Sequence, residues 1–519
     1  MTNKSKLRKY HAPVWDEPVI NQMGSNGRRG IIFSQLSEEI INEVGDLSTL
    51  IPEELSRQDE PLLPELSEQE VQRHFLHLSQ ETLGMMGISL FGTCTMKYNP
   101  RLNEFITARP EVAETHPLQH EETLQGTLNL IHNFDLILRE LSGMDNFVFQ
   151  AGGGAHAAYT HCCVTRAYFA AKGELSQRNE IITSIQAHPC NPATAAAAGF
   201  NVITLPLGEN GYPTVDSLKE AVSEKTAALL INNPDDMGIY NPEIDQWVEI
   251  VHNVGGLCFY DHANFNGVMG KIRARELGFD ACMYMLHKTF GVPKGGGGPA
   301  VGAYGCSSEL APFLPTPLVK KLENSYILDY ERPNSIGRIR EFWGNVHQVI
   351  KAYSWARAMG GRGIEEAAEI SVLANNYMEK RLLKINGITK SNSHIPGPRM
   401  EMTRYSIEKV TKETGITVDD LSNRMVDFGI DAPWLAHHPW LVPEPFTPEA
   451  GENYSKEDLD YWIDVLEEVI REAYESPEIV KNAPHRQAIK KINAGSLEEP
   501  ESWAMTWRAY ERKKSKNKA

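Results

Sequence analysis

Between Phe147 and Met285 the chain repeats one pattern, a short apolar run followed by a stretch of helical periodicity. After Phe147-Val148-Phe149 the runs fall at residues 181–185, 201–205, 227–232, 257–260 and 283–285, with helical segments at 157–171, 194–198, 215–222 and 243–254 between them. Strands that recur with a helix between them are parallel neighbours, because a crossover must return the chain to the same edge. The pattern predicts an α/β fold, a mostly parallel sheet covered by helices on both faces. Ligands of such sheets bind beyond the carboxyl ends of the strands, so the residues that follow each run are the ones to search.

Around this centre, residues 1–117 read as an N-terminal extension and helical arm. Short apolar runs there mix with proline and acidic clusters, as in Leu50-Ile51-Pro52-Glu53-Glu54-Leu55. A large domain is expected over 118–345, opening with a helix whose apolar face carries Leu124, Leu128, Ile131 and Leu138. A smaller C-terminal α+β domain follows over 346–480, with helices at 346–358 and 367–383, a strand at 400–407 and helices at 415–426 and 456–473. Residues 481–519 form a tail, where Trp503 and Trp507 suit a packed helix and Arg512, Lys513, Lys514, Lys516 and Lys518 suit a solvated, frayed end.

The 519 residues carry 68 acidic and 51 basic side chains, a net charge of −17. A field of that sign repels phosphate backbones and anionic lipid, so neither nucleic acid nor a membrane is an expected partner. No apolar run reaches the roughly 18 residues of a spanning helix. The 7 cysteines, from Cys94 to Cys306, form no repeated CxxC pairs. That argues against a disulfide framework and a structural zinc site, and no metal is expected. Lys4, Lys6, Arg8 and Lys9 lead into His11 and Pro13 without an apolar stretch, so no secretory leader is read and the cytoplasm is the expected compartment. His437 and His438 read as surface or domain-packing residues.

Four strand ends carry chemistry. The run at 283–285 leads to Leu286-His287-Lys288-Thr289-Phe290 and then to Gly295-Gly296-Gly297-Gly298. An amine beside His287 at a strand end can be partly desolvated, which leaves it nucleophilic toward an aldehyde; an exposed surface lysine is the alternative. The glycines admit a close ligand or form a flexible turn. Asp261 ends the run at 257–260, where a carboxylate needs a cation, a helix N-terminus or a cofactor nitrogen; a helix cap is the plainer alternative. Gly152-Gly153-Gly154-Ala155-His156 opens a helix whose free amides suit an anion. The flat ring of His188 suits stacking on an aromatic cofactor, although a lone histidine is more often structural. An amine, a carboxylate, an anion nest and a flat ring are together what a pyridoxal phosphate site requires.

At these residues the chain resembles the P-protein family of the glycine cleavage system, the decarboxylating glycine dehydrogenases, in the split bacterial and archaeal form as subunit 2. The resemblance runs from Gly27-Arg28-Arg29-Gly30 to Pro484-His485. It rests on Cys94-Thr95-Met96-Lys97-Tyr98-Asn99-Pro100, Gly154-Ala155-His156, Asn191-Pro192-Ala193, Leu286-His287-Lys288-Thr289-Phe290, Gly295 to Pro299 and Ser335-Ile336-Gly337-Arg338. It implies a fold-type I pyridoxal 5'-phosphate enzyme in which Lys288 carries the cofactor, Asp261 pairs with the pyridine nitrogen and His188 stacks on the ring. Gly154, Ala155 and His156 would hold the phosphate, with His287 and Asn233 beside the cofactor. The implied activity is decarboxylation of glycine, with transfer of the aminomethyl group to the lipoyl arm of H-protein. The implied partners are a homologous subunit 1, lipoylated H-protein and a small amino acid, in a dimer or an α2β2 assembly.

Departures from the family pattern cluster around these residues. His262 stands where a glycine is usual, Pro189-Cys190 replaces Gly-Thr, Lys294 replaces a histidine, Ala157-Ala158 replaces Gly-Glu, and Asp235-Asp236-Met237 replaces small polar residues. Cys94, Thr95, His262 and Lys294 are expected to face the substrate. Two accounts fit: ordinary subunit 2 activity with drifted neighbours, which is the reading adopted, or a paralogue using the same cofactor on another small amino acid. Retention of Lys288 and Asp261 argues against a silent scaffold.

Overall fold

The computed structural model describes residues 5–516 apart from 29, 31–32, 48–49, 59–62, 83–86, 91, 93–96, 210, 294–299, 432–434, 492–498 and 500–502. The chain divides into two compact units, residues 1–8 with 88–481 and residues 9–87 with 482–519. In the second, α1 (Glu38–Val44) buries none of its residues and α2 (Glu68–Gln80) begins at a capping box. The Ser67 hydroxyl accepts the Glu70 amide while the Glu70 carboxylate returns to the Ser67 amide, satisfying two donors that the first turn leaves open.

In the first unit α3 (Arg101–Thr107), α4 (Pro110–Ala113) and α5 (Gln125–Ser142) precede the sheet. The alternation then yields β1 (Asn146–Val148), α6 (Gly154–Ala171), β2 (Glu180–Ser184), α7 (Cys190–Ala197), β3 (Asn201–Leu205) and α8 (Val215–Ala221). It continues through β4 (Thr226–Asn232), α9 (Ile244–Asn253), β5 (Leu257–His262), β6 (Ala281–Met285) and β7 (Gly302–Cys306). The strand order is β1-β7-β6-β5-β4-β2-β3. Only β7 is reversed, lying antiparallel between β1 and β6. The carboxyl ends of the other six strands therefore share one edge.

Every residue of β4, β5 and β6 is buried, which is why these runs are continuously apolar instead of alternating. Phe134, Trp247 and Tyr260 fill one face of the sheet, and Val164, Phe169 and Phe259 fill the other beneath α6 and α7. Each such side chain contributes on the order of 2–3 kcal/mol by leaving water. The segment 302–306, which the sequence pattern assigns to no element, is strand β7. Gly-Ala-Tyr-Gly-Cys has weak strand propensity, but all five residues are buried, and a Cβ on Gly305 would lie 2.3 Å from the Phe147 ring.

Beyond the sheet, β8 (Leu318–Lys321) and β9 (Tyr326–Asp329) form a hairpin. The long α10 (Val346–Leu382) is interrupted at Gly360, whose φ of 64° and ψ of 175° lie outside the helical region, so two helices run in succession as the sequence suggested. Next come β10 (Thr389–Lys390), β11 (Tyr405–Ser406), α11 (Glu408–Thr414), α12 (Val418–Met425), β12 (Pro445–Phe446), α13 (Lys456–Glu475) and α14 (Pro477–Lys481). They pack around Tyr405, Phe446, Trp462 and Leu466. The strand expected at 400–407 shrinks to β11, and at its start the Met400 amide donates to the Gly238 carbonyl at 2.9 Å instead of to a neighbouring strand. In the second unit the basic tail forms α15 (Trp507–Lys516) instead of fraying, although α15 buries none of its residues, and Trp507 stacks on Tyr510. No helix among the described residues is long and apolar enough to cross a membrane.

Candidate active site

The adjacent strands β5 and β6 end at the two central residues. Past Met285 the chain turns, the Lys288 amide donating to the Met285 carbonyl at 3.0 Å, and Lys288 is left 2% exposed. Asp261, 1% exposed, pairs in register with Asn232 of β4 and Met283 of β6. Its Oδ1 accepts the Ala263 amide at 2.9 Å and its Oδ2 accepts Asn191 Nδ2 at 3.1 Å. Burial nevertheless lifts the carboxyl from 3.8 to about 6, against the pull of those bonds and of Lys288. Asp261 is thus a buried carboxylate whose charge its two hydrogen bonds and Lys288 offset only in part.

Past β2, the Nδ1 of His188 accepts the Cys190 amide at 3.1 Å, which places the proton of the neutral ring on Nε2. Burial lowers His188 to about 4, so the neutral ring is the one present near pH 7. The same turn starts α7 and delivers Asn191 to Asp261. The Cys190 thiol is held well above its ordinary value, first by burial and then by Asp261, and is no nucleophile. Past β1, α6 starts at Gly154 with no capping side chain. A Cβ on Gly154 would fall 2.0 Å from the end of the Met285 side chain, which would have to swing aside.

Three expected site residues sit differently. His262 follows Asp261 along β5 and therefore points to the opposite face of the sheet, where its ring lies 3.9 Å from Tyr260 and 5.2 Å from Tyr284, centroid to centroid. It is a core residue, lowered to about 3 by burial, and not a substrate contact. Asn233 spends its side chain on Asn241, accepting the amide at 2.8 Å and donating to the carbonyl at 3.1 Å, which closes a loop instead of reaching a cofactor. The His156 ring accepts the Gly152 amide at 3.1 Å and bonds the Ile339 backbone, leaving its main-chain amide, and not its imidazole, for an anion. His287 is buried with Nδ1 3.4 Å from the Val301 carbonyl. Cys94, Thr95, Lys294 and Gly295 to Pro299 lie outside the described residues.

Two residues join the site without having been expected there. The ring of His437 packs edge-on against His188, with centroids 4.4 Å apart, and Asp236 and Lys288 act electrostatically on both histidines. Asp236 is 3% exposed and accepts from Asn264 Nδ2 at 3.1 Å. The doublet His437-His438 was visible in the sequence, but only the fold brings its loop to β2. Its neighbour Asp235 has a structural task, its Oδ1 accepting the Met237 and Ile239 amides at 2.8 and 3.0 Å. Ala157 and Ala158 are fully buried in the packing of α6.

Among the described residues one trio of metal-ligand type, His252, Cys258 and Asp280, has ligand atoms within 4.8 Å of one another. Asp280 already bonds His252 Nε2 at 2.9 Å and the Cys258 amide at 2.8 Å, and Arg275 lies 3.6 Å away. Burial holds the Cys258 thiol well above its ordinary value. The trio is a brace at the amino ends of β5 and β6, across the sheet from Lys288.

The residues present fit pyridoxal phosphate on two observations: Asp261 is a buried carboxylate whose charge its neighbours offset only in part, which suits a protonated ring nitrogen, and the uncapped start of α6 offers amides to a phosphate. A profile described as aminotransferase class-V matches residues 144–412, and one described as glycine dehydrogenase, C-terminal domain, matches residues 367–491. A Pyrococcus furiosus protein named probable glycine dehydrogenase (decarboxylating) subunit 2 is 41% identical over 513 residues, 98% of this chain and 99% of that one. A protein of the same name from Staphylococcus saprophyticus is 39% identical over 478 residues, 92% and 94% of the two chains. The crystal structure of inhibitor-bound glycine decarboxylase (P-protein) of the glycine cleavage system matches with a TM-score of 0.70 at 20% identity, covering 85% of this chain and 100% of that one. A cysteine desulfurase from Escherichia coli matches at 0.57 and 17%, covering 74% and 95%, a likeness of fold. With such identity sustained along almost the whole of both chains, the protein belongs to the glycine dehydrogenase (decarboxylating) subunit 2 family.

Proposed function

We propose that the protein decarboxylates glycine with pyridoxal phosphate and passes the remaining aminomethyl group to the lipoyl arm of a carrier protein, working in the cytoplasm with a subunit 1 homologue. The observation that carries this reading is the burial of Lys288 and Asp261 at the ends of adjacent parallel strands. When bound, pyridoxal phosphate supplies an aldehyde for the substrate amine and a ring that takes up the electron pair left behind as carbon dioxide departs. Lys288 Nζ, buried just past the end of β6, would hold the aldehyde end. Asp261 keeps a proton on the ring nitrogen, and the Ala263 amide and Asn191 fix the orientation of its carboxylate. His188, anchored on the Cys190 amide, orients the ring through its flat face. Burial of Lys288 and Asp261 excludes water, so a stray proton does not quench the reacting carbon before the acceptor arrives.

Most departures from the family pattern are absorbed by structure: His262 in the core, Asp235 in a turn, Ala157 and Ala158 under the sheet. A second reading, the same chemistry on another small amino acid, has one observation in its favour. Asp236 and His437 add an acid and an imidazole beside Lys288. A panel of small amino acids titrated into the cofactor-loaded protein separates the two, with the near-visible absorption followed and transfer scored from the mass of the lipoylated carrier. Glycine alone producing both signals supports the first reading; another amino acid producing them without glycine overturns it.

A further inference from the structure

The start of α6 holds a cation whose purpose the fold does not explain. The amides of Gly154, Ala155 and His156 precede the first intrahelical bond, Ala157 N–H to the Gly153 carbonyl at 2.9 Å, and no side chain caps them. Arg340 reaches this turn from a loop far along the chain. Its Nη1 is fully buried, has no hydrogen-bond partner, and would lie 3.0 Å from a Cβ placed on Gly152. Its Nε lies 3.7 Å from the exposed Glu341 carboxylate, and 32% of the Arg340 side chain is itself exposed.

The loop is not free to carry Arg340 away. Ser335 Oγ donates to the Leu314 carbonyl at 2.6 Å, the Ile336 amide to the Phe313 carbonyl at 3.1 Å, and the Thr316 amide to the Gly337 carbonyl at 3.1 Å. At its end the His156 ring bonds both the Gly152 amide and the Ile339 backbone, tying the residue before Arg340 to the glycine turn. A buried guanidinium N–H without an acceptor is costly, and a phosphate oxygen held by the α6 amides supplies that acceptor in a charge-assisted bond.

We propose that Arg340 is a ligand of the cofactor phosphate, its Nη1 donating to a phosphate oxygen at the start of α6, with His156 as the residue that positions it. The inference rests on the cofactor reading above. Pyridoxal, which lacks the phosphate, isolates the contribution. Apo-protein is titrated with pyridoxal phosphate and with pyridoxal, dissociation constants being read from the near-visible absorption. In R340Q the affinity for pyridoxal phosphate should fall about 10- to 100-fold, the range of a charge-assisted bond, while that for pyridoxal stays at the wild-type value. R340K, which keeps the charge without the fork, should fall between, and it carries the test if R340Q folds poorly. Inorganic phosphate should compete with pyridoxal phosphate more weakly in R340Q than in the wild type. Equal losses for both ligands, or no loss for pyridoxal phosphate, would overturn the assignment. A wild-type protein that binds no pyridoxal phosphate would instead overturn the cofactor reading itself.

Discussion

Replacing Asp261 by asparagine should move two measurable quantities in opposite directions. The carboxyl lies at about 6 in the folded protein against 3.8 for the free side chain, a rise of about 2 units. At about 1.4 kcal/mol per unit, holding Asp261 ionised without a cofactor costs the apo-protein on the order of 3 kcal/mol above pH 6. The sign follows from linkage. A raised carboxyl favours the folded state while protonated, so this contribution is whole below pH 4 and is lost as the pH rises through 6. D261N removes the burden, and its oxygen can still accept the Ala263 amide that Asp261 accepts at 2.9 Å. Apo-D261N should therefore be more stable than the apo wild type at pH 7.5 and equal to it near pH 4. Affinity for pyridoxal phosphate should fall by about 1.5–3 kcal/mol, roughly 10- to 150-fold, because the charged partner of the ring nitrogen is gone. Denaturant unfolding with and without cofactor at both pH values reads all of these quantities. A variant whose apo form is destabilised while its cofactor affinity is unchanged would refute the reasoning and make Asp261 a structural cap.

Other perturbations separate core from site. H262F should leave cofactor affinity unchanged and raise stability on the acid side. Burial keeps His262 neutral down to about pH 3, so the wild type loses stability as the pH falls below 6.5, and phenylalanine, which cannot titrate, does not. Urea midpoints from pH 4 to 8 check this. G305A should cost about 1–3 kcal/mol, since its Cβ would lie 2.3 Å from the Phe147 ring, and a second change of Phe147 to leucine should recover part of that in the same unfolding assay. K97M should cost about 3–5 kcal/mol by stranding Glu452, which Lys97 meets at 2.7 Å; the double variant K97M/E452Q should be markedly less destabilised when their melting curves are compared.

Much of the large domain was legible because its strands are buried on both faces. Continuous runs such as 227–232 announce themselves, and the residues that follow them had to lie at one edge. β7 was missed for the converse reason, since its glycines and alanine carry no strand signal and only packing against Phe147 makes it a strand. His262 was misplaced by reading nearness along the chain as nearness in space. A strand of period two that aims Asp261 at the site must aim its neighbour away. Asn233 looked like a ligand until Asn241, 8 residues on, claimed both of its side-chain groups. Arg340 and His437 reach the site from loops far along the chain, and no local pattern reports such contacts.

The central claim is that the site built on Lys288 and Asp261 releases carbon dioxide from glycine, and exchange of labelled carbon dioxide into the glycine carboxyl tests it most directly. The protein is combined with its subunit 1 homologue, lipoylated carrier and pyridoxal phosphate, and compared with a K288A variant prepared in the same way. The account predicts exchange that disappears in K288A. Exchange that persists in K288A, or none in a wild-type protein whose bound cofactor is fixed by borohydride onto Lys288, would contradict it.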